Sequence, residues 1–232
     1  MQFHYVFVNF VLSLKLKHIH TMQIAYSFLA VIAAYLIGSI ATSVWVGRVF
    51  YGIDVREHGS GNAGASNTFR VLGVKAGIPV LVVDALKGWV AVHLIYFLNE
   101  YYVEGSVQWM NMSLGLAFAA VIGHIFPVYV GFKGGKGVAT LVGIIIAVHP
   151  WAALICIGVF VVVLLVSRYV SLSSILSGVL FPFVVIGYYD VRIPSLMIFS
   201  VLVSILLILS HKKNIGRLMR HEENKANLFK WK

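Results

Sequence analysis

Acidic side chains are scarce in this chain. Its 232 residues hold eight Asp and Glu against eighteen Lys and Arg, a net charge of +10, and charged residues make up only 11%. Sixty per cent of the residues are hydrophobic, against roughly 45–50% in soluble domains. With a mean hydropathy of +0.91, that excludes a water-soluble fold of this size and requires an integral membrane protein. The lone cysteine, Cys156, sits in an apolar run. It excludes an intramolecular disulfide and a cysteine-based zinc site, and reads as a packing residue. Carboxylates are too few on the polar loops to hold a metal, so no metal and no cofactor is expected. The positive excess does not indicate nucleic acid, because the basic residues interrupt lipid-compatible segments instead of clustering on a soluble domain. A membrane surface is the partner they fit.

What is abundant is apolar sequence in long runs. A first span is expected from Ile24 to about Val46, a second from about Ala76 to Leu98 and a third from about Trp109 to Val130. The run Val138 to Val166 is too long for one untilted helix and is broken at His149-Pro150; it reads as two short spans, with a single helix kinked at the proline as the alternative. A sixth follows to about Tyr188 and a seventh from Pro194 to Ser210. The expected fold is therefore an all-α bundle of about seven transmembrane helices, a crossing needing roughly 20 apolar residues. The apolar patch Phe3 to Leu14 is too short to cross by itself and lacks the features of a secretory signal. Residues 1–21 are expected to be an N-terminal extension, with Met22 as an alternative start, and residues 22–232 a single transmembrane domain. Asp84 and Lys87 lie within the second span at i, i+3 spacing, either as a structural ion pair or as part of a site.

With seven spans, only Lys15, Lys17, Lys87 and Arg192 of the eighteen basic residues fall outside one set of loops and the tail. The positive-inside rule then puts the N-terminus outside and the C-terminus in the cytoplasm. Every chemically dense loop shares that cytoplasmic face. The first, Gly59 to Arg70, gathers glycines, amides, hydroxyls and a cation. The second, Lys133-Gly134-Gly135-Lys136-Gly137, combines three flexible glycines with two ammonium groups, a combination suited to a phosphate. The third runs Arg168 to Ile175, and the tail opens with His211 and Asn214. This donor-rich face fits one or more phosphate-bearing ligands. A Walker A loop is excluded because Gly137 follows Lys136 where a hydroxyl residue is required, and a serine-hydrolase elbow because Gly59-Ser60-Gly61 lacks its spacing. A small secondary transporter of an anionic metabolite is the alternative, disfavoured by the absence of an internal repeat and by donors lying in loops instead of at mid-bilayer.

Four segments in order carry a family resemblance: Gly59-Ser60-Gly61-Asn62 with Gly64-Ala65-Ser66-Asn67 and Arg70; Phe132 to Thr140; Arg168 to Ile175; and His211 with Asn214, Ile215 and Arg217. Together with Asp84-Ala85-Leu86-Lys87-Gly88, they resemble the bacterial membrane acyl-phosphate:glycerol-3-phosphate acyltransferases, the PlsY family. Departures are Ser66, where threonine is usual, and the lack of a glycine near His221. The resemblance implies an enzyme of the inner membrane with its site facing the cytoplasm. It would move a fatty acyl group from acyl-phosphate to the sn-1 hydroxyl of glycerol 3-phosphate, giving lysophosphatidate and phosphate as the first step of phospholipid synthesis. Its partners would be those two substrates, membrane lipid and, by contact, the enzyme that makes acyl-phosphate. Ser60, Lys136, His211 and Asn214 are the candidate catalytic residues. Gly61, Asn62, Asn67, Arg70, Lys133, Gly134, Gly135, Gly137, Thr140, Arg168, Ser171 and Ser174 are the candidates for binding substrate and phosphate. The residues allow either loop to take either phosphate. With no strong base beside the serines apart from His58 and His211, they favour direct attack over an acyl-enzyme, and no histidine has the aspartate five residues on that acyl-thioester acyltransferases use.

Overall fold

The computed structural model describes residues 2–226, with side chains from residue 14 onward. The last part of the basic tail, with Lys230 and Lys232, lies outside the described residues. Ten α-helices follow one another: α1 (Gln2–Gly38), α2 (Thr42–Tyr51), α3 (Ala65–Leu72), α4 (Val74–His93), α5 (Val107–Ile125), α6 (Val138–Val148), α7 (Pro150–Ser167), α8 (Val170–Pro182), α9 (Pro194–Ser210) and α10 (Lys212–Met219). Among the described residues, five helical segments are long and apolar enough to cross a membrane: Leu14–Gly38, Val74–Leu98, Val107–Val130, Pro150–Ser167 and Val170–Tyr188. A sixth is reached when α9 and α10, bent by 60° at His211, are taken together. Of the seven spans expected, the one left is α6, which has 11 residues and rises only about 16 Å, half of a roughly 30 Å hydrocarbon core.

The split at His149-Pro150 is as expected. His149 Nδ1 accepts a hydrogen bond from the Ala152 amide at 3.2 Å, and Pro150 occupies the first helical position, where its missing N–H costs nothing. The first span differs from expectation. It ends at Gly38, and α2 begins only at Thr42. The buried ion pair of α4 captures this break: Lys87 Nζ, 2.8 Å from Asp84 Oδ1, also donates to the Ile40 carbonyl at 2.8 Å. Thr42 Oγ1 donates to Asp84 Oδ1 at 3.1 Å. Polar backbone exposed by a broken helix is tolerated at membrane depth only when protein satisfies it, which is what this pair does. At the other end of α1, the Phe3 to Leu14 patch and the first span form one continuous helix about 55 Å long.

α5 is the central helix: 56% of its span window is buried inside the protein, against 17% for α7, which faces outward. Close backbone approach holds the bundle where lipid removes the hydrophobic drive. α1 meets α5 at Gly38, where a Cβ would stand 2.1 Å from the Ala120 carbonyl oxygen; α4 meets α6 at Gly143, where one would stand 1.8 Å from that of Ala85. α7 to α9, with a π-helical turn at Phe183–Tyr188, pack on one another and add Phe181, Leu196 and Phe199 to the core. One end of this scaffold collects the α2–α4 connection, the α5–α6 loop, the α7–α8 turn and the α9–α10 bend.

Candidate active site

The α2–α3 connection is built around two polar residues. Asp54 caps a single helical turn by accepting from the Arg56 amide at 2.9 Å, and pairs with Arg56 at 2.7 Å and Arg48 at 2.9 Å. The Arg56 hydrogen bond is the main reason its carboxyl stays far below the usual carboxylate range. Arg56 in turn donates to the Val130 carbonyl at 2.8 Å and the Lys133 carbonyl at 3.3 Å, tying this connection to the glycine and lysine loop. Asn67 is buried on the first turn of α3. It donates to the carbonyls of Val55 and His58 at 2.7 and 3.1 Å, and its Oδ1 accepts from the Ser60 amide and hydroxyl at 2.8 and 3.0 Å. All four of its amide positions are filled. Asn67 therefore orients Ser60 instead of facing a ligand itself, while Ser60, Gly61 and Arg70 are exposed beside half-buried Asn62.

The α5–α6 loop narrows the phosphate-cradle expectation. The amides of Gly134 and Gly135 donate to the carbonyls of Ile125 and His124, each at 3.1 Å, folding the loop onto the end of α5. These two glycines serve close approach: a Cβ on Gly134 would stand 2.0 Å from the His124 carbonyl oxygen, and one on Gly135 2.2 Å from His124 Nε2. Gly137 takes φ +80° where α6 begins. Thr140, expected among the binding residues, is fully buried beneath the loop, 3.1 Å from His124 Nδ1. What the loop presents is the ammonium of half-buried Lys136, which donates to Asn214 Oδ1. Lys133 is exposed, its carbonyl held by Arg56.

The α9–α10 bend supplies two neighbours of Lys136. Buried His211 has its Nδ1 2.8 Å from the Leu207 carbonyl, so the ring proton sits there and Nε2 is left as an acceptor. Burial first, and then the Lys136 charge, push its pKa down to about 4, so the ring is neutral at physiological pH. Asn214 joins Lys136 to a residue that the loop chemistry did not anticipate. Its Nδ2 donates at 2.8 Å to Glu223 Oε1, which also accepts from Ser171 at 3.1 Å, and Arg217 Nε donates to Glu223 Oε2 at 2.7 Å. Burial works to raise this carboxyl, but those donors prevail and keep it below its usual range. The tail reaches this position by crossing the α7–α8 turn, where the Ala226 amide donates to the Arg168 carbonyl at 2.6 Å. The adjacent carboxylates Glu222 and Glu223 within an otherwise basic tail were the available signal.

Lys136 itself is pushed down to about 8, first by burial; Glu223 opposes the shift and the charges of Arg217 and Arg70 add to it. Arg70, Lys136, Arg217, His211, Asn214, Ser171 and Glu223 thus form one cluster drawn from four separate segments. Arg168 is exposed at its edge, and Ser174 bonds its own helix at the Val170 carbonyl, 2.8 Å away. Among the described residues, no three His, Cys, Asp or Glu converge closely enough to hold a metal ion. The arrangement is a cationic, donor-rich cluster with a weakly basic imidazole, suited to binding anions and stabilising a leaving anion.

Residues 28–221 match the profile of the glycerol-3-phosphate acyltransferase family. A glycerol-3-phosphate acyltransferase of Chlorobaculum tepidum is 42% identical over 87% of this chain and 97% of its own length. One of Fusobacterium nucleatum is 37% identical, covering 85% of this chain and 97% of the relative. Among solved structures, PlsY, an integral membrane glycerol 3-phosphate acyltransferase, superposes in its glycerol 3-phosphate form with a TM-score of 0.76 and 35% identity, over 88% of this chain and 99% of that one. Its lysophosphatidic acid form gives a TM-score of 0.73 over 86% and 94%.

Proposed function

The chain belongs to the glycerol-3-phosphate acyltransferase family, and from that premise we propose that its acyl donor is an acyl-phosphate and its acceptor the sn-1 hydroxyl of glycerol 3-phosphate. The observation that carries this reading is the Lys136 ammonium, held by a neutral amide and within electrostatic reach of Arg70 and Arg217. A phosphate leaving group needs cationic stabilisation as its bond to the acyl carbon breaks. A thiolate leaving group does not need several cations.

In the proposed reaction the sn-1 oxygen attacks the acyl carbonyl carbon and forms the ester bond. The bond between that carbon and the phosphate oxygen breaks, and phosphate leaves with the electron pair beside Lys136. The hydroxyl proton passes to a phosphate oxygen, since neutral His211, with its pKa near 4, is a poor base for it. Ser60, set by Asn67, together with Asn62, Arg70, Ser171 and Asn214, orients the two reactants. The glycines confer the close packing that places Lys136. Direct attack is favoured because the Ser60 hydroxyl is bonded to an amide and not to a base.

The same reading places the site and the C-terminus on the cytoplasmic side of a bacterial inner membrane, supported by the distribution of basic residues. It takes residues 22–232 as the acyltransferase domain and the acyl-phosphate-producing enzyme as a contact partner. The test is purified protein with labelled glycerol 3-phosphate, given acyl-phosphate or acyl-CoA in parallel. We expect lysophosphatidate from the phosphate donor alone. Equal turnover with the thioester would overturn the donor assignment, and a trapped acyl-Ser60 would overturn direct attack.

A further inference from the structure

Beneath the loops of the site runs a buried polar column that the proposed reaction does not use. It begins at the break between α1 and α2, where Lys87 and Asp84 hold the Ile40 carbonyl and the Thr42 hydroxyl. Gly88, next along α4, lies against Thr140: a Cβ there would stand 2.2 Å from the Thr140 carbonyl oxygen. The Thr140 hydroxyl is 3.1 Å from His124 Nδ1, both residues being buried. His124 then meets Gly135 twice, through its carbonyl, which accepts the Gly135 amide at 3.1 Å, and through its ring. On Gly135, a Cβ would fall 2.2 Å from His124 Nε2 and 2.6 Å from the Ala63 carbonyl oxygen. Gly135 is thus wedged between the imidazole and the backbone of the Gly59 to Arg70 connection. The next residue is Lys136.

We propose that His124 is a positioning residue for Lys136: its imidazole, fixed by Thr140, is the seat on which Gly135 rests and sets where the following ammonium stands. The inference rests on the role given to Lys136 above. Its physical basis is distance along the chain. One peptide unit, about 3.8 Å between Cα atoms, separates the residue that is seated from the residue that acts. A bare glycine has no side chain to absorb a shift of its seat, so displacement passes to Lys136 and to its bond with Asn214. A histidine supplies a flat ring for the glycine and a nitrogen for Thr140 at once, which an aliphatic side chain of similar size does not.

The experiment compares His124→Leu, His124→Asn, Thr140→Val and Lys136→Ala in purified, detergent-solubilised protein. It reads the thermal midpoint, kcat, KM for each substrate and the alkaline limb of kcat/KM. His124→Leu and Thr140→Val are expected to lose about 100-fold in kcat, the effect of displacing a reacting group by about 1 Å, and to move the alkaline limb that reports Lys136. His124→Asn, which restores a polar partner for Thr140 at the Nδ1 position but not the ring end beneath Gly135, is expected to keep most of the loss; full recovery of kcat and limb in this variant would overturn the imidazole as the seat. If Lys136→Ala keeps full activity, the role of Lys136 itself fails. If Lys136→Ala is inactive while folded His124→Leu and Thr140→Val keep the parent kcat and limb, the positioning role alone is overturned. It is equally overturned if both variants fail to fold, which would assign the column to stability.

Discussion

Two lysines of this protein sit in opposite electrostatic settings, and the contrast separates scaffold from site. Lys87, within α4, has a carboxylate at 2.8 Å and a carbonyl at 2.8 Å, with both members of its ion pair sealed from solvent. Its charge is neutralised locally, and its work is to hold the broken end of α1. Among the described residues, the direct partner of Lys136 is a neutral amide. Glu223, the carboxylate whose charge acts on it, is already shared among Arg217, Asn214 and Ser171. A closed pair locks structure, whereas an ammonium without a carboxylate of its own is available to an incoming anion.

The largest effect that would sharpen this contrast is on stability. Asp84→Ala leaves Lys87 buried without its counter-ion, and such a removal destabilises by about 3–5 kcal/mol. It should appear as a lower thermal midpoint and loss of folded protein. Asp84→Leu combined with Lys87→Met should regain only part of it, because the Ile40 carbonyl and the Thr42 hydroxyl lose their partners; a double variant as stable as the parent would break the view of this pair as the holder of the α1–α2 break. Next comes Lys136→Ala, expected to lower kcat about 10²–10³-fold, the range for removing one preorganised charge-stabilising group, with the thermal midpoint unchanged. A loss confined to stability would reverse the assignment of the two lysines.

A third expectation concerns pH. Lys136, with its pKa near 8 by burial and by the charges of Arg217 and Arg70, loses its ammonium as pH rises through that value. Well above it, kcat/KM should fall about tenfold per pH unit, reporting the free enzyme. The sign for stability is opposite. The unfolded chain, with lysine at 10.5, binds more protons than the folded one between about 8 and 10.5, so this group makes stability rise with pH in that window. Activity that falls while the thermal midpoint holds or climbs identifies Lys136. Lys136→Arg should remove the limb.

The sequence made the bundle legible where its signals were local. Apolar runs located the helices, His149-Pro150 marked a break, and the i, i+3 spacing of Asp84 and Lys87 pointed to the ion pair that is found. The break after Gly38 was hidden because residues 24–46 hold no charge and no proline to mark it; it is captured by side chains on α4, far along the chain. At the site, residue types were legible and directions were not. Asn67 and Thr140 have the chemistry of ligand contacts, yet packing turns one toward Ser60 and its own loop and the other toward His124. Glu223 escaped notice because a tail reads as basic when its charges are summed, while one carboxylate decides the local field. Family membership also replaces the transporter alternative with an enzyme, a distinction composition does not make.

The smallest expected effect tests that local field directly. Glu223 is the one carboxylate whose charge raises the Lys136 pKa against burial and the neighbouring guanidinium groups. Glu223→Gln removes that charge while keeping an acceptor for Ser171 and Asn214. The alkaline limb of kcat/KM should therefore move to lower pH, with kcat at neutral pH changing less than in Lys136→Ala. If Glu223 only braces the tail, the variant lowers the thermal midpoint and leaves the limb in place. If it also sets the charge of the site, the limb moves whether or not stability does. Lys87, whose carboxylate is its own nearest neighbour on the helix, shows what Lys136 would become if Glu223 were a private partner: a fixed ion pair with no charge left for phosphate. Sharing Glu223 among three donors prevents that, so replacing Asn214 with Asp, which gives Lys136 a carboxylate of its own, should depress activity more than Glu223→Gln does.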